Sequence, residues 1–185
     1  QSCEEVIKSG ADNNINFAIV QICKANIYNR KGFVEKAIAL LKESQELVKK
    51  VLIEKSDDIA IIYNNIACLY YQIGDYDQAK EYLVKCLEIR KSIHSKNHFD
   101  IGFTLNNLAI VQGTLKDYQS ANTNFHDSIE ILKKADKLSD LRKLSKVQNN
   151  FGVNLLQIKE YEKASSVFYM SLRTKEKILE YVDAD

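Results

Sequence analysis

Small apolar residues recur along this chain at a fixed interval. Alanine or glycine stands at Ala25, Ala67, Ala109 and Gly152, and an alanine follows twelve positions later at Ala37, Ala79, Ala121 and Ala164. Both series repeat with spacings of 42, 42 and 43 residues. A larger apolar residue comes four positions after each second alanine: Leu41, Leu83, Phe125 and Phe168. A period of this length marks stacked supersecondary units, and each copy reads as a helical hairpin. The first helix presents its small residue where the second must approach closely. A tight turn follows at Gly32-Phe33, Gly74-Asp75, Lys116-Asp117 or Lys159-Glu160. Val34, Tyr76, Tyr118 and Tyr161 are then expected to pack back over the first helix, and the alanine three further on lets the second helix nest. A hairpin buries only one face, so neighbours must stack to complete a core.

The pattern predicts helix pairs at 13–30 with 34–54, 57–72 with 76–93, 97–115 with 118–135, and 139–157 with 161–181. The corresponding repeats, 13–54, 57–93, 97–135 and 139–181, form one domain over residues 1–185. Asp12, Ser56, Ser95 and Ser139 are the expected N-caps. Residues 1–9 read as the tail of a preceding second helix.

Composition agrees. Average usage of ~5% would give about nine prolines, yet the chain has none, and only six glycines. That excludes polyproline recognition segments and argues against an all-β fold with frequent turns. Basic and acidic residues balance at 26 against 25, and basic residues run no further than doublets such as Lys49-Lys50. Neither duplex nucleic acid nor an anionic membrane surface is an expected partner. No apolar run is long enough to span a bilayer. The start, Gln1-Ser2-Cys3-Glu4-Glu5, is no signal peptide, and the sole methionine is Met170. A cytoplasmic piece of a larger protein is therefore expected. Cys3, Cys23, Cys68 and Cys86 show no Cys-x-x-Cys pairing, so they are read as reduced thiols and not zinc ligands.

The small–x6–Gly–Asp–Tyr–x2–Ala frame resembles the tetratricopeptide repeat. The long period, together with Tyr63-Asn64-Asn65-Ile66-Ala67 and Leu105-Asn106-Asn107-Leu108-Ala109, is similar to the repeats of kinesin light chain. The connector His98-Phe99-Asp100-Ile101 resembles that family's His-Pro-Asp-Val. The fourth repeat keeps Asn149-Asn150-Phe151-Gly152, whereas the first has Ile22-Cys23-Lys24 in place of the paired asparagines. The resemblance implies an all-α solenoid of about eight helices in a right-handed superhelix, without catalytic activity or cofactor. The family often closes each repeat with a proline twelve residues after the second alanine. Lys49, Lys91, Lys133 and Glu176 stand there instead, so the second helices are expected to run on.

Stacked hairpins place first helices on the concave side. Helix periodicity then lines up Ile19, Ile61, Phe103 and Lys146, followed by Ile22, Asn64, Asn106 and Asn149. One turn on come Asn26, Cys68, Ile110 and Val153, then Asn29, Tyr71, Gly113 and Leu156, with Arg30 and Lys146 the charged members. A carboxamide donates and accepts, so asparagines at repeat spacing can pair with a peptide backbone while apolar neighbours take its side chains. The resemblance implies the same role, since groove asparagines of kinesin light chain hold cargo peptides, and it carries over to Asn64, Asn106 and Asn149. The ladder has a second reading, as scaffold hydrogen bonding between helices. The partners Asn65, Asn107 and Asn150 are assigned to inter-helix backbone groups. The carboxylate clamp of chaperone-binding tetratricopeptide domains needs basic side chains where Ile22, Phe103 and Asn107 stand, so that mode is not expected.

Enzymatic readings fare worse. His94 and His98 are four apart but straddle an expected connector, so a shared helical face is not expected. Asp100 makes three potential ligands, yet no fourth ligand or supporting partner is implied, and no metal site is assigned. His126 and Asp127 are helix neighbours that do not face each other. No phosphate loop or nucleophile elbow occurs. The expected function is a non-catalytic scaffold binding a protein or peptide in the groove. The alternative is a regulatory or oligomerisation segment whose groove is filled by its own chain or a second copy.

Overall fold

The computed structural model describes residues 14–51, 56–134 and 137–183. Asp12, Cys3 and the helix tail expected at 1–9 lie outside them. Eight helices occur among the described residues, and no strand: α1 (Asn14–Arg30), α2 (Val34–Val51), α3 (Asp57–Ile73), α4 (Tyr76–Ile93), α5 (Phe99–Thr114), α6 (Tyr118–Leu132), α7 (Leu138–Gln157) and α8 (Tyr161–Asp183). The chain divides into two compact units, Gln1–Ile93 and His94–Asp185, each of two hairpins. In the first, α1 packs on α2 and α3 on α4, with α1 also against α3. In the second, α5 pairs with α6 and α7 with α8, and α7 lies against α6 and α5.

The small residues do what close helix approach requires. Ala25, Ala37, Ala79, Ala109, Ala121 and Ala164 are wholly buried, and Ala67 is 1% exposed. A further repeat feature accompanies them. Seven residues after the second alanine stand Ser44, Cys86, Ser128 and Ser171, all buried. Ser128 Oγ donates to the Gly102 carbonyl at 2.7 Å and Ser171 Oγ to that of Ser145 at 3.0 Å. Ser44 Oγ stands 3.4 Å from the Ala18 carbonyl, nearer its own Leu40 carbonyl at 2.9 Å. Only small residues at 18, 102 and 145 let the second-helix hydroxyl reach first-helix backbone.

Every hairpin turn has one design. Gly32, Gly74, Lys116 and Lys159 are left-handed, with φ of 82, 87, 64 and 63°. The next N–H donates back to a carbonyl five residues earlier: Phe33 to Tyr28, Asp75 to Tyr70, Asp117 to Gln112 and Glu160 to Leu155, all at 2.9–3.0 Å. This is the Schellman C-cap, where glycine avoids a Cβ penalty. Lys116→Gly and Lys159→Gly are therefore each expected to stabilise their hairpin by ~1 kcal/mol. Urea midpoints check this, and a fall in either variant refutes the strain argument.

Several expectations are corrected. Ser56 does cap α3, accepting from the Ile59 N–H at 3.4 Å. The cap of α5 is His98 rather than Ser95, with its Nδ1 accepting from the Asp100 N–H at 3.3 Å. Lys137 rather than Ser139 precedes α7, and its side chain makes no cap bond. Tyr161, expected to pack, is 63% exposed, and Val34 is 40% exposed. Tyr76 does lie against Tyr71, with centroids 5.3 Å apart. Helix α6 stops at Leu132 with Lys133 as its C-cap, whereas α4 and α8 run past Lys91 and Glu176.

The cores differ in chemistry. In the first unit, buried Tyr82 stacks on Tyr70 (5.8 Å, 10°) and tilts against Tyr63 (5.6 Å), while Gln45 Nε2 donates to the Tyr70 hydroxyl at 2.7 Å. Burial pushes the Tyr82 phenol well above its ordinary pKa, with Tyr70 adding to the effect. In the second unit, Phe125 sits among Ala109, Ala121, Leu132, Leu144 and Val147 and stacks on Phe151 at 5.5 Å.

Candidate functional site

First helices have one side turned to their partners and leave another open. On α3, Ile61 is 45% exposed, and Cys68 and Gln72 are exposed with it. Asn64 is half-buried in the same stripe, its Nδ2 4.0 Å from Cys68 Sγ. Tyr71 continues the stripe, held by its contact with Tyr76. On α7 the corresponding residues Lys146, Asn149, Val153 and Leu156 are all exposed, Val153 and Leu156 at 45% and 42%. Spacings of three, four and three residues put these four on one helical face.

The first helix of each unit is more occupied. On α1, Ile22 is only 6% exposed and belongs to the core. Asn26 is half-buried, and its Oδ1 is buried without a hydrogen-bond partner. Arg30 is exposed. Phe103 on α5 is half-buried beneath Lys143, whose Nζ lies 4.4 Å from the ring centroid. Asn106 is 9% exposed. Its Nδ2 donates to Asn107 Oδ1 at 3.1 Å, and its Oδ1 accepts from Asn150 Nδ2 at 3.2 Å. The structure thus ties Asn106 into a bond between hairpins, and Asn150 reaches a side chain and not a backbone group.

A parallel bond exists in the first unit, where Asn29 Nδ2 donates to Gln72 Oε1 at 3.1 Å. Both bonds join a first-helix position to the position one further along in the next repeat. Two turns separate the two levels, since Asn29 stands seven residues beyond Ile22, the place that Asn106 holds in its own repeat. Sequence reasoning aligned equivalent positions and so missed this offset of one. Where Gly113 takes the upper level in the second unit, Asn154 packs over it and donates from Nδ2 to Asn122 Oδ1 at 2.7 Å.

The polar residues set aside earlier are also placed. His94 and His98 were expected to be separated by the connector, but their rings stack 3.8 Å apart. The chain folds back in a turn, so no shared helix is needed. His126 Nδ1 comes within 3.8 Å of Asp127 Oδ1 despite their adjacency, both well exposed. A cleft of about 410 Å³ opens beside them, between Thr123, Phe151, Leu155 and Lys163. Lys163 is paired there with Glu160 at 3.1 Å. No helix among the described residues is long and apolar enough to cross a membrane.

The Tetratricopeptide repeat model matches residues 16–92 and 73–134. No curated protein matches the sequence. Among solved structures, BtubC (BKLC) from P. vanneervenii is similar at a TM-score of 0.79 and 19% identity, over 91% of this chain and 67% of that one. A Podosopora anserina protein described as a kinesin light chain, built of nearly identical TPR-like repeats, is similar at a TM-score of 0.64 and 16% identity, over 94% and 96%. A Rap protein complexed with Competence and Sporulation Factor is similar at 0.53 and 17%, over 89% and 54%. These likenesses are of fold, and they include the kinesin light chain-like repeats that the sequence resembles. With the turns, the small-residue contacts and the family model in agreement, the chain belongs to the tetratricopeptide repeat family.

Proposed function

We propose that the chain is a non-catalytic module that binds a protein or peptide along the first-helix faces of its hairpins. The observation that carries this is the open stripe Lys146–Asn149–Val153–Leu156 on α7, matched on α3 by Ile61, Asn64, Cys68 and Tyr71. Both stripes combine an asparagine with apolar side chains that stay in water, an arrangement suited to an extended backbone with apolar side groups. Asn106 contributes differently, by holding α7 in place through Asn150. The complex of a similarly folded Rap protein with Competence and Sporulation Factor supports a partner-binding reading.

Peptides selected from a random display library against the whole chain test it. Asn64→Ala is expected to weaken a peptide selected on the α3 stripe, and Asn149→Ala one selected on the α7 stripe, by ~1 kcal/mol, roughly fivefold, through loss of one hydrogen bond. Failure to select any binder, or equal affinity in the double variant, overturns the proposal. A second reading, assembly, rests on α8. Leu172 there is 50% exposed, whereas Ile129, which holds its place in the preceding hairpin, is 7% exposed. Sedimentation across concentration separates the two, because only assembly raises the mass.

A further inference from the structure

We propose that His94, His98 and Asp100 form a binding site for a borderline divalent cation, zinc foremost, at the start of the second unit. The three side chains come from a short stretch of chain. After Ile93 ends α4, the His98 N–H donates to the Ser95 carbonyl at 2.9 Å and closes a tight turn. That turn brings the His94 and His98 rings face to face, 3.8 Å apart and within 3° of parallel. Asp100, in the first turn of α5, sends its Oδ2 to within 3.5 Å of His98 Nδ1. One donor atom from each of the three lies within 4.8 Å of the other two.

The separation between His98 and Asp100 suits a metal better than it suits hydrogen bonding. Donors at 2.0–2.2 Å from a tetrahedral ion stand roughly 3.3 Å from one another. The 3.5 Å between His98 Nδ1 and Asp100 Oδ2 is already close to that value, yet it is long for a strong charge-assisted hydrogen bond. Bringing in His94 asks more. Its ring lies parallel to that of His98, so it must turn until a ring nitrogen points at an ion in the His98 ring plane, and donors that lie within 4.8 Å of one another must close to roughly 3.3 Å. A partly exposed side chain makes such a move by torsion. Binding at His98 Nδ1 displaces the Asp100 N–H, which donates to it at 3.3 Å. Side-chain exposures of 38% for His98 and 41% for Asp100 leave room for water in the remaining positions. Two imidazoles with one carboxylate favour zinc and its neighbours over magnesium or calcium, which prefer all-oxygen sites.

Titration calorimetry of the whole chain with zinc chloride tests the assignment, and magnesium chloride is the contrast. One saturable zinc equivalent is expected, weakened at least ~10-fold by His94→Ala and by Asp100→Asn and unchanged by His126→Ala. Asp100→Asn keeps the size of the side chain, and circular dichroism of each variant verifies that the helices persist. Absence of saturable zinc binding overturns the proposal. So does binding that survives undiminished in the His94→Ala/His98→Ala double variant, which would place the metal elsewhere.

Discussion

Phe125→Ala is expected to destabilise the second unit by ~3–5 kcal/mol, the range for removing a fully buried aromatic side chain. Its ring is 1% exposed and surrounded by Ala109, Ala121, Ile129, Leu132, Leu144 and Val147. Three of these neighbours, Ala109, Ala121 and Leu132, are wholly buried, and the two alanines have no longer side chain with which to fill the space. Phe151, stacked at 5.5 Å, loses its partner as well. Against a total stability of ~5–15 kcal/mol for a domain, this is enough to unfold the unit under mild denaturant. Repeat units couple mainly to their neighbours, so one global transition is not assumed. Amide exchange, read separately over 14–93 and 94–183, should show the loss concentrated in the second range. The same repeat position supplies a control. Phe168 is only half-buried, so Phe168→Ala should cost clearly less. A Phe125→Ala loss below ~1 kcal/mol would show that the core assignment is wrong.

How much of this was legible beforehand follows from what repeats and what does not. The alanines at 37, 79, 121 and 164, the small residues before them and the turn at 32, 74, 116 and 159 are fixed by contacts inside one hairpin. Their geometry recurs wherever the period does, even where lysine must adopt a left-handed φ. Burial on the first-helix face depends instead on what lies beside that helix. Ile22, Asn64, Asn106 and Asn149 share a repeat position, yet Ile22 and Asn106 are buried while Asn149 is exposed. Projection of the helix period alone treats them alike. The serine series at 44, 128 and 171 was visible as a period, but its meaning needed the distance to a carbonyl on the other helix. Caps and connectors carry least signal. His98 caps α5 because the chain turns at Ser95, and that same turn brings together two histidines that spacing had set apart.

Gly152→Ala sets two effects of opposite sign against each other. Alanine in a helix interior gains ~1 kcal/mol over glycine, so on propensity alone the variant would be more stable. Packing opposes it. A Cβ at 152 would lie 2.5, 2.7 and 2.8 Å from three carbons of the Phe168 ring, far inside the 3.5–4.0 Å optimum for carbon contacts. An aromatic ring cannot bend away as the tip of a lysine could. It must rotate toward solvent, giving up burial against Leu155, Ala164 and Val167, or force the two helices apart. Overpacking of this kind costs ~1–3 kcal/mol, so a net loss of up to ~2 kcal/mol is expected. Hairpin three carries Ala109 with Phe125, whose ring stacks on Phe151; hairpins one and two pair alanine with Leu41 and Leu83. Phe168→Leu should therefore restore much of the stability when combined with Gly152→Ala. A double-mutant cycle over the four proteins measures the coupling. If Gly152→Ala raises the urea midpoint, or if Phe168→Leu adds its own loss without compensation, the close contact of α7 and α8 at this point is not what selects glycine.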